Sequence, residues 1–365
     1  MGHSQLDLAK KAKELNLEVY AIADKIAGPV VPFADKVAAV NILDPDAVEA
    51  YCVEQKIDFI FTMGLEIALP VIEEVSERLS LHHFFSTDIM QLLKDKNTWR
   101  EVLGDINGNL KHMMGEQVED FKNWATYPAV LKPVDGSGQR GVYRVESYED
   151  VRHHFAKSIA PSKKGQLILE EFADGEEISV NSFVYHGELA FYMVSDRISY
   201  DEYPGGIIKK HLIPSEIVTE KIEDDIKELV TNVHEKMGIK NGHVYYQLKI
   251  DHGEVKLIEF TPRYDGCHMW RLIKEATDLD LLKCSLEWLI DQTSKTLENY
   301  HFHVNDGQFI TQFISDEPGT EVQRENYELP EDARIVNWYY DNGDKVKKVT
   351  GYIEKVGYTI RHIAK

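Results

Sequence analysis

The chain has 365 residues, 43% of them hydrophobic, a formal net charge of −21 and three cysteines. That length can bury a sizeable core and suits two or three domains, and an acidic chain with no dense Lys/Arg stripe excludes a nucleic-acid backbone as partner. Cys52, Cys267 and Cys284 form no C-x-x-C pair, no apolar signal core follows Met1, and no apolar run reaches the roughly 18 residues of a membrane span, so a reducing, cytoplasmic setting without membrane contact is expected.

From Leu6 to Leu15 the apolar positions fall at helical spacing, Asn16 stops the helix, and Leu17–Ile22 has the pattern of a strand. The DPDAVEAYCVEQK helix, the IDFIFTM strand and an Ile67–Arg78 helix continue a small parallel α/β layer. The opening Met-Gly-His-Ser-Gln resembles the glycine turn that follows a first strand, yet no strand stands before it: either the sheet lacks that strand or the chain begins late.

After Asp88 a helix carries Asp95-Lys96, a Gly/Asn-rich break follows, and Pro128–Pro133 forms a strand running into the loop Asp135–Gly141. Strands are expected at Gln166–Phe172, Ile178–Tyr185 and Glu188–Ser195, and the segment Tyr203–His211 is punctuated like a mobile loop. A helix from about Thr219 to Met237 precedes the strands Val244–Ile250 and Val255–Thr261, joined at Asp251-His-Gly in a hairpin. Beyond Gln292, short strands and Gly-containing turns indicate a small β-rich C-terminal unit.

Three local patterns point to nucleotide chemistry, although each alone could be an ordinary turn. Lys132 ends a strand and is followed by glycines that let backbone N–H groups close over phosphate oxygens. It is not a P-loop, for no Gly-Lys-Ser/Thr follows. The acid-rich Leu167–Val180 segment turns at Gly175 and could offer backbone groups to an adenine edge and a carboxylate to ribose hydroxyls. On the hairpin, Gln247, Glu259 and Thr261 could bring oxygen ligands together on a hard Mg²⁺, with Arg263 one step further along the same face. Glu259 lies within the apolar run VKLIEF, where a buried carboxylate calls for a metal or a cation.

Taken in order, lysine, lysine with glycine loop, acid-rich hinge and a Gln…Glu-x-Thr-Pro-Arg hairpin resemble the ATP-grasp superfamily, in particular its carbamoyl-phosphate-synthase-like and amino-acid-ligase-like members. The resemblance spans roughly Gly2 to Leu289. It implies an α/β and α+β architecture: a parallel α/β (pre-ATP-grasp) domain over residues 1–87, a two-lobed ATP-grasp domain over 88–292 with a lid lobe at about 115–185, and the β-rich unit over 293–365.

Carried onto matching positions, the resemblance implies that Lys96 and Lys132 contact ATP phosphates beneath a loop containing Gly136, Ser137, Gly138, Gln139 and Gly141. Glu170, Glu171, Phe172 and Ala173 would line the adenine and Glu177 would hold the ribose. Gln247, Glu259 and Thr261 would bind Mg²⁺, with Mn²⁺ as an alternative; Thr261 stands where the pattern usually has Asn, and a hydroxyl is a weaker ligand than an amide oxygen. Arg263 would stabilise the acyl phosphate or the tetrahedral intermediate. A cation near the γ-phosphate would come from Lys209, Lys210 or His211, and Arg197 could grip a substrate carboxylate. Asp265, His268 and Trp270 could face an acceptor pocket, with core packing the competing reading for Trp270.

The implied activity is an ADP-forming carboxylate–amine ligase acting on two small molecules. Phosphorylation of bicarbonate or carbamate, and ATP binding without catalysis, are the alternatives. A homodimer is the ordinary expectation for such a protein.

Overall fold

The computed structural model describes residues 1–136, 140–203 and 205–364. At the N-terminus, helix α1 (His3–Glu14) leads to strand β1 (Tyr20–Ala23), which pairs in parallel with β2 (Lys36–Ala39). Helix α2 (Pro45–Gln55) starts where sequence places it: Asp44 accepts from the N–H groups of Asp46 and Ala47, Pro45 occupies the first turn, and Lys56 ends the helix with φ 56°. Helix α3 (Leu69–Arg78) packs against α2 through Val48, Cys52, Val71 and Val75. The expected IDFIFTM strand is corrected here: residues 57–63 belong to no sheet among the described residues. Having strand composition, they have no strand beside them to complete a ladder.

Two short helices, α4 (Thr87–Leu93) and α5 (Lys96–Leu103), cross to the next lobe, α5 being capped by the Asp95 carboxylate. That lobe is a four-stranded sheet in the order β3-β6-β4-β5, formed by β3 (His112–Gly115), β4 (Ala129–Pro133), β5 (Tyr143–Val145) and β6 (Leu167–Glu171). Helix α6 (Tyr148–Ile159) covers it over a core that includes Phe121, Leu131, Val151 and Leu169.

The remaining strands make one eight-stranded sheet, β11-β10-β7-β8-β9-β12-β14-β13. They are β7 (Glu176–Tyr185), β8 (Glu188–Ser199), β9 (Ile208–Ile213), β10 (Gly242–Asp251), β11 (Glu254–Thr261), β12 (Gln308–Asp316), β13 (Ala333–Trp338) and β14 (Glu354–Ile363). Helix α7 (Glu220–Met237), capped by Thr219 and ended at Gly238, buries Ile226, Leu229, Val230 and Val233 against Ile178, Val180, Tyr246 and Leu248 on one face of the sheet. Helices α8 (Met269–Thr277) and α9 (Leu281–Asp291) build a second core with Phe183, Ile213, Phe309 and Tyr358.

The structure also corrects the loop assigned to Tyr203–His211. Ile208–Ile213 is strand β9, paired to β8 on one side and to β12 on the other, so Lys209, Lys210 and His211 sit inside the sheet. The partner that makes this segment a strand lies about 100 residues downstream, beyond the reach of local pattern. The C-terminal strands β12, β14 and β13 continue the central sheet. No helix among the described residues is long and apolar enough to cross a membrane.

Candidate active site

The basic end of the site lies where α5 meets the four-stranded lobe. Residues Lys132 and Glu170, on the adjacent strands β4 and β6, share a face, and Lys132 Nζ lies 2.5 Å from Glu170 Oε2. Arg100, fully buried on α5, places Nε 2.9 Å from the other carboxylate oxygen and donates to the Leu257 and Ile258 carbonyls at 2.8 and 3.1 Å. Burial by itself would raise the Glu170 pKa, but Arg100 and Lys132 together hold it at about 2. Lys132 shifts the other way for an ammonium: burial lowers it, Glu170 opposes that, and Arg100 and Lys96 add to it. Two cations, Arg100 and Lys132, share the one carboxylate. The trio therefore holds one excess positive charge out of water, and a phosphate would neutralise it.

Glu170, expected at the adenine, is paired with both Lys132 and Arg100. The carbonyl of Gly136 accepts from Lys96 Nζ at 2.8 Å, which ties the loop to the start of α5. Ser137, Gly138 and Gln139 lie outside the described residues. Gly141 has φ 74°, and a Cβ there would sit 2.7 Å from the Ser158 carbonyl oxygen, so only glycine fits. Downstream of Glu170, Glu171 accepts from the Lys111 N–H at 3.2 Å. The Phe172 ring has the Arg144 guanidinium 4.3 Å and the Lys249 ammonium 5.5 Å from its centroid, and Ala173 is buried beside it. At the hinge, a Cβ on Gly175 would collide with the Ile250 carbonyl at 2.0 Å.

The second half of the site is a polar row across one face of the large sheet. Register sets Glu259 opposite Gln247, Gln247 opposite Ser179, Ser179 opposite Ser195, Arg197 opposite His211, and His211 opposite Thr311. In an antiparallel sheet, opposed residues share a face. Arg197 pairs with Glu177, which also accepts from Gln247 Nε2 at 3.2 Å. The residue expected at the ribose is therefore tied to one expected at the metal and one expected at the substrate. Glu259 is half-buried, more open than its apolar neighbours suggested, and Thr261 is buried with its hydroxyl unpaired. Arg263 lies over the Tyr245 ring at 5.7 Å and approaches Glu66 at 3.2 Å, linking the hairpin to the N-terminal layer.

At the far end, His211, Asp265 and Cys267 are all buried, with one ligand atom from each within 4.8 Å of the others. His211 Nδ1 is 3.3 Å from Ser195 Oγ, while its Nε2 and Asp265 Oδ2 have no protein partner. Burial above all pulls His211 down to about 4, despite Asp265, so at neutral pH its imidazole is uncharged. Burial and Asp265 push the Cys267 thiol up to about 12, and Lys355 Nζ stands 3.7 Å from its sulfur.

His268 and Trp270 do not join this group. His268 shares a 2.8 Å hydrogen bond with Tyr339 Oη, and Trp270 Nε1 donates to Asp7 on α1 at 2.8 Å, fastening the first helix to α8. Sequence reasoning missed Arg100, Lys355 and Cys267. Of these, only Arg100 left a signal, as a cation beside Trp99 and Leu103 on the buried face of α5.

Residues 125–269 match the model of the ATP-grasp domain. A curated relative, the ATP-grasp enzyme fsqD of Aspergillus fumigatus, is 28% identical over 143 residues, which are 36% of this chain and 25% of that protein. The chain thus spans about a quarter of that relative's length. Among solved structures, phosphoribosylglycinamide synthetase from Anaerococcus prevotii superposes with a TM-score of 0.82 at 20% identity, covering 100% of this chain and 92% of that one. An L-amino acid ligase from Bacillus licheniformis superposes at 0.79 and 19% identity, covering 98% and 90%. These two likenesses establish the fold.

Proposed function

We propose that this chain, a member of the ATP-grasp superfamily by its matched domain and its fold, uses ATP to activate a carboxylate as an acyl phosphate and couples it to an amine, releasing ADP and phosphate. The reading rests on the polar row across the sheet, which runs from oxygen donors at Glu259 and Gln247, past the Arg197 guanidinium, to unpartnered acceptors at His211 and Asp265. Its two ends suit different reactants.

At the first end, Lys132 and Lys96 meet the ATP phosphates, and Phe172 and Ala173 flank the base. Gln247 gives an N–H to Glu177, which leaves its amide oxygen free; with the Glu259 carboxylate and the unpaired Thr261 hydroxyl, it makes an all-oxygen set that fits Mg²⁺. Bound there, the ion would neutralise charge on the transferring phosphoryl group.

The Arg197 guanidinium, whose Nε is buried without a partner, grips the substrate carboxylate. A carboxylate oxygen attacks the γ-phosphorus and ADP leaves. The amine docks against Asp265 Oδ2 and the neutral His211 Nε2, both acceptors for ammonium N–H groups. The ammonium first gives one proton to water; its neutral nitrogen then attacks the acyl carbon, Arg263 spreads the oxyanion charge, and phosphate departs with the substrate's oxygen and takes up the second proton.

Phosphate release from Mg-ATP with pooled amino acids as carboxylates, with and without added amines, tests this reading. Release that requires both partners is expected. Release with bicarbonate alone, or none with any pool despite ATP binding, would refute it.

A further inference from the structure

The far end of the polar row holds a sulfur that takes no part in docking an amine. His211, Asp265 and Cys267 bring one nitrogen, one carboxylate oxygen and one sulfur within 4.8 Å of one another. His211 comes from β9 inside the sheet, whereas Asp265 and Cys267 come from the turn after β11. In that turn the Cys267 N–H donates to Asp265 Oδ1 at 3.0 Å, and Oδ2 is left without a protein partner. Ser195 Oγ lies 3.3 Å from His211 Nδ1, and the opposite ring nitrogen, Nε2, has no protein partner either. A proton on Nδ1 directed at Ser195 fixes the tautomer in which Nε2 carries a free lone pair. At 0% and 4% exposure, these two unpaired acceptors cost free energy unless a bound species pairs with them. Two cations stand nearby: Arg197, opposite His211, is committed to Glu177, and Lys355 lies 3.7 Å from the Cys267 sulfur with no carboxylate partner among the described residues.

We propose that His211 Nε2, Asp265 Oδ2 and Cys267 Sγ form a binding site for a thiophilic divalent cation, Zn²⁺, separate from the oxygen set at Gln247, Glu259 and Thr261. Zinc bonds of about 2.0–2.3 Å in tetrahedral geometry set ligand atoms roughly 3.3–3.8 Å apart, so a contraction of at most about 1.5 Å completes three corners and leaves the fourth for water. The donor types select the ion. Imidazole and thiolate suit zinc, whereas Mg²⁺ demands hard oxygen ligands in octahedral array, so one sheet sorts two metals by softness. On binding, the Cys267 thiol gives its proton to water and its sulfur lone pair forms the bond to the metal. Asp265 and the thiolate then balance the two charges of the ion. Of the groups named, Lys355 carries the excess charge, which suits hydroxide or another small anion at the open corner. The ion takes the same His211 and Asp265 atoms that accept the amine, so metal and amine exclude one another; that consequence rests on the ligase reading, whereas the site itself does not.

Cobalt(II) reports the ligands directly. The tag-free full chain, stripped of metal and held at about 10 mM Mg²⁺ to occupy the oxygen set, is titrated with Co²⁺ and followed by absorbance. One Co²⁺ per chain is expected, with a sulfur-to-cobalt charge-transfer band in the near ultraviolet, and one equivalent of Zn²⁺, the tighter binder, should abolish that band. Cys267→Ser should remove the band and weaken binding at least about tenfold, while Cys52→Ser, in the N-terminal layer, should leave both unchanged. Thermal unfolding without metal shows whether Cys267→Ser folds. If it does not, Asp265→Asn, which retains the shape and the Oδ1 acceptor, carries the test and should lower the affinity at least about tenfold. Absence of the band, its survival in Cys267→Ser, unchanged affinity in Asp265→Asn, or a band that appears only when Mg²⁺ is left out would overturn the site. No turnover is read, so these outcomes are separable from the fate of the ligase reading, which phosphate release without Zn²⁺ decides.

Discussion

Replacing Glu170 by Ala leaves Arg100, 0% exposed, and Lys132, 9% exposed, as two buried cations with no anion between them. Removing one partner of a buried ionic group costs about 3–5 kcal/mol, so Tm should fall by roughly 6–20 °C. The pH dependence gives a second reading of the same quantity. The folded carboxyl is held at about 2 against an ordinary value of 4.5, so its stabilisation is complete above pH 4.5 and is lost as pH falls from 4.5 toward 2. That shift corresponds to about 3 kcal/mol, consistent with the mutational figure. Urea unfolding of wild type and Glu170→Gln at pH 7, 5 and 3 measures it: the wild-type advantage should be largest at pH 7 and shrink at pH 3. A Tm change under 2 °C for Glu170→Ala, or an advantage independent of pH, would refute the triad as the clamp between α5 and the four-stranded lobe.

Lys132→Met leaves Arg100 and Glu170 as a neutral pair, so stability should change by about 1 kcal/mol or less while Mg-ATP affinity, read by calorimetry, falls at least tenfold; unchanged affinity would remove Lys132 from the phosphate site. Glu259→Gln, at a half-buried position, should fold normally yet lose substrate-dependent phosphate release; retained turnover would exclude it as a metal ligand. Glu73, 3% exposed, has its carboxyl raised by burial to about 8, so its contribution to stability is fully present below pH 4.5 and lost as pH rises toward 8. Glu73→Gln should therefore gain up to about 4 kcal/mol over wild type at pH 8 and nothing at pH 4.5, as a pH series of unfolding curves would show.

Local chemistry made part of this structure legible in advance. The Asp251-His252-Gly253 turn appears as expected, with φ of 49° at His252 and 81° at Gly253, and it holds Gln247 opposite Glu259. Helix α7 begins and ends at its own cap residues. Long-range pairing was not legible: β9 looks like a loop until β12 lies beside it, and this is why His211 proves to be a buried imidazole and not a mobile cation. The ion pairing of Glu170 was not legible either, because its partner Arg100 sits 70 residues away. Residues 57–63 have the composition of a strand but no paired neighbour, a feature only the fold exposes.

The central claim is that a carboxylate oxygen attacks the γ-phosphorus. Once phosphate release identifies a substrate pair, the carboxylate partner is labelled with ¹⁸O and the released phosphate is analysed by mass spectrometry. The account predicts one ¹⁸O atom in the phosphate for each amide formed, with ADP as the nucleotide product. Unlabelled phosphate, or AMP with pyrophosphate, would contradict it.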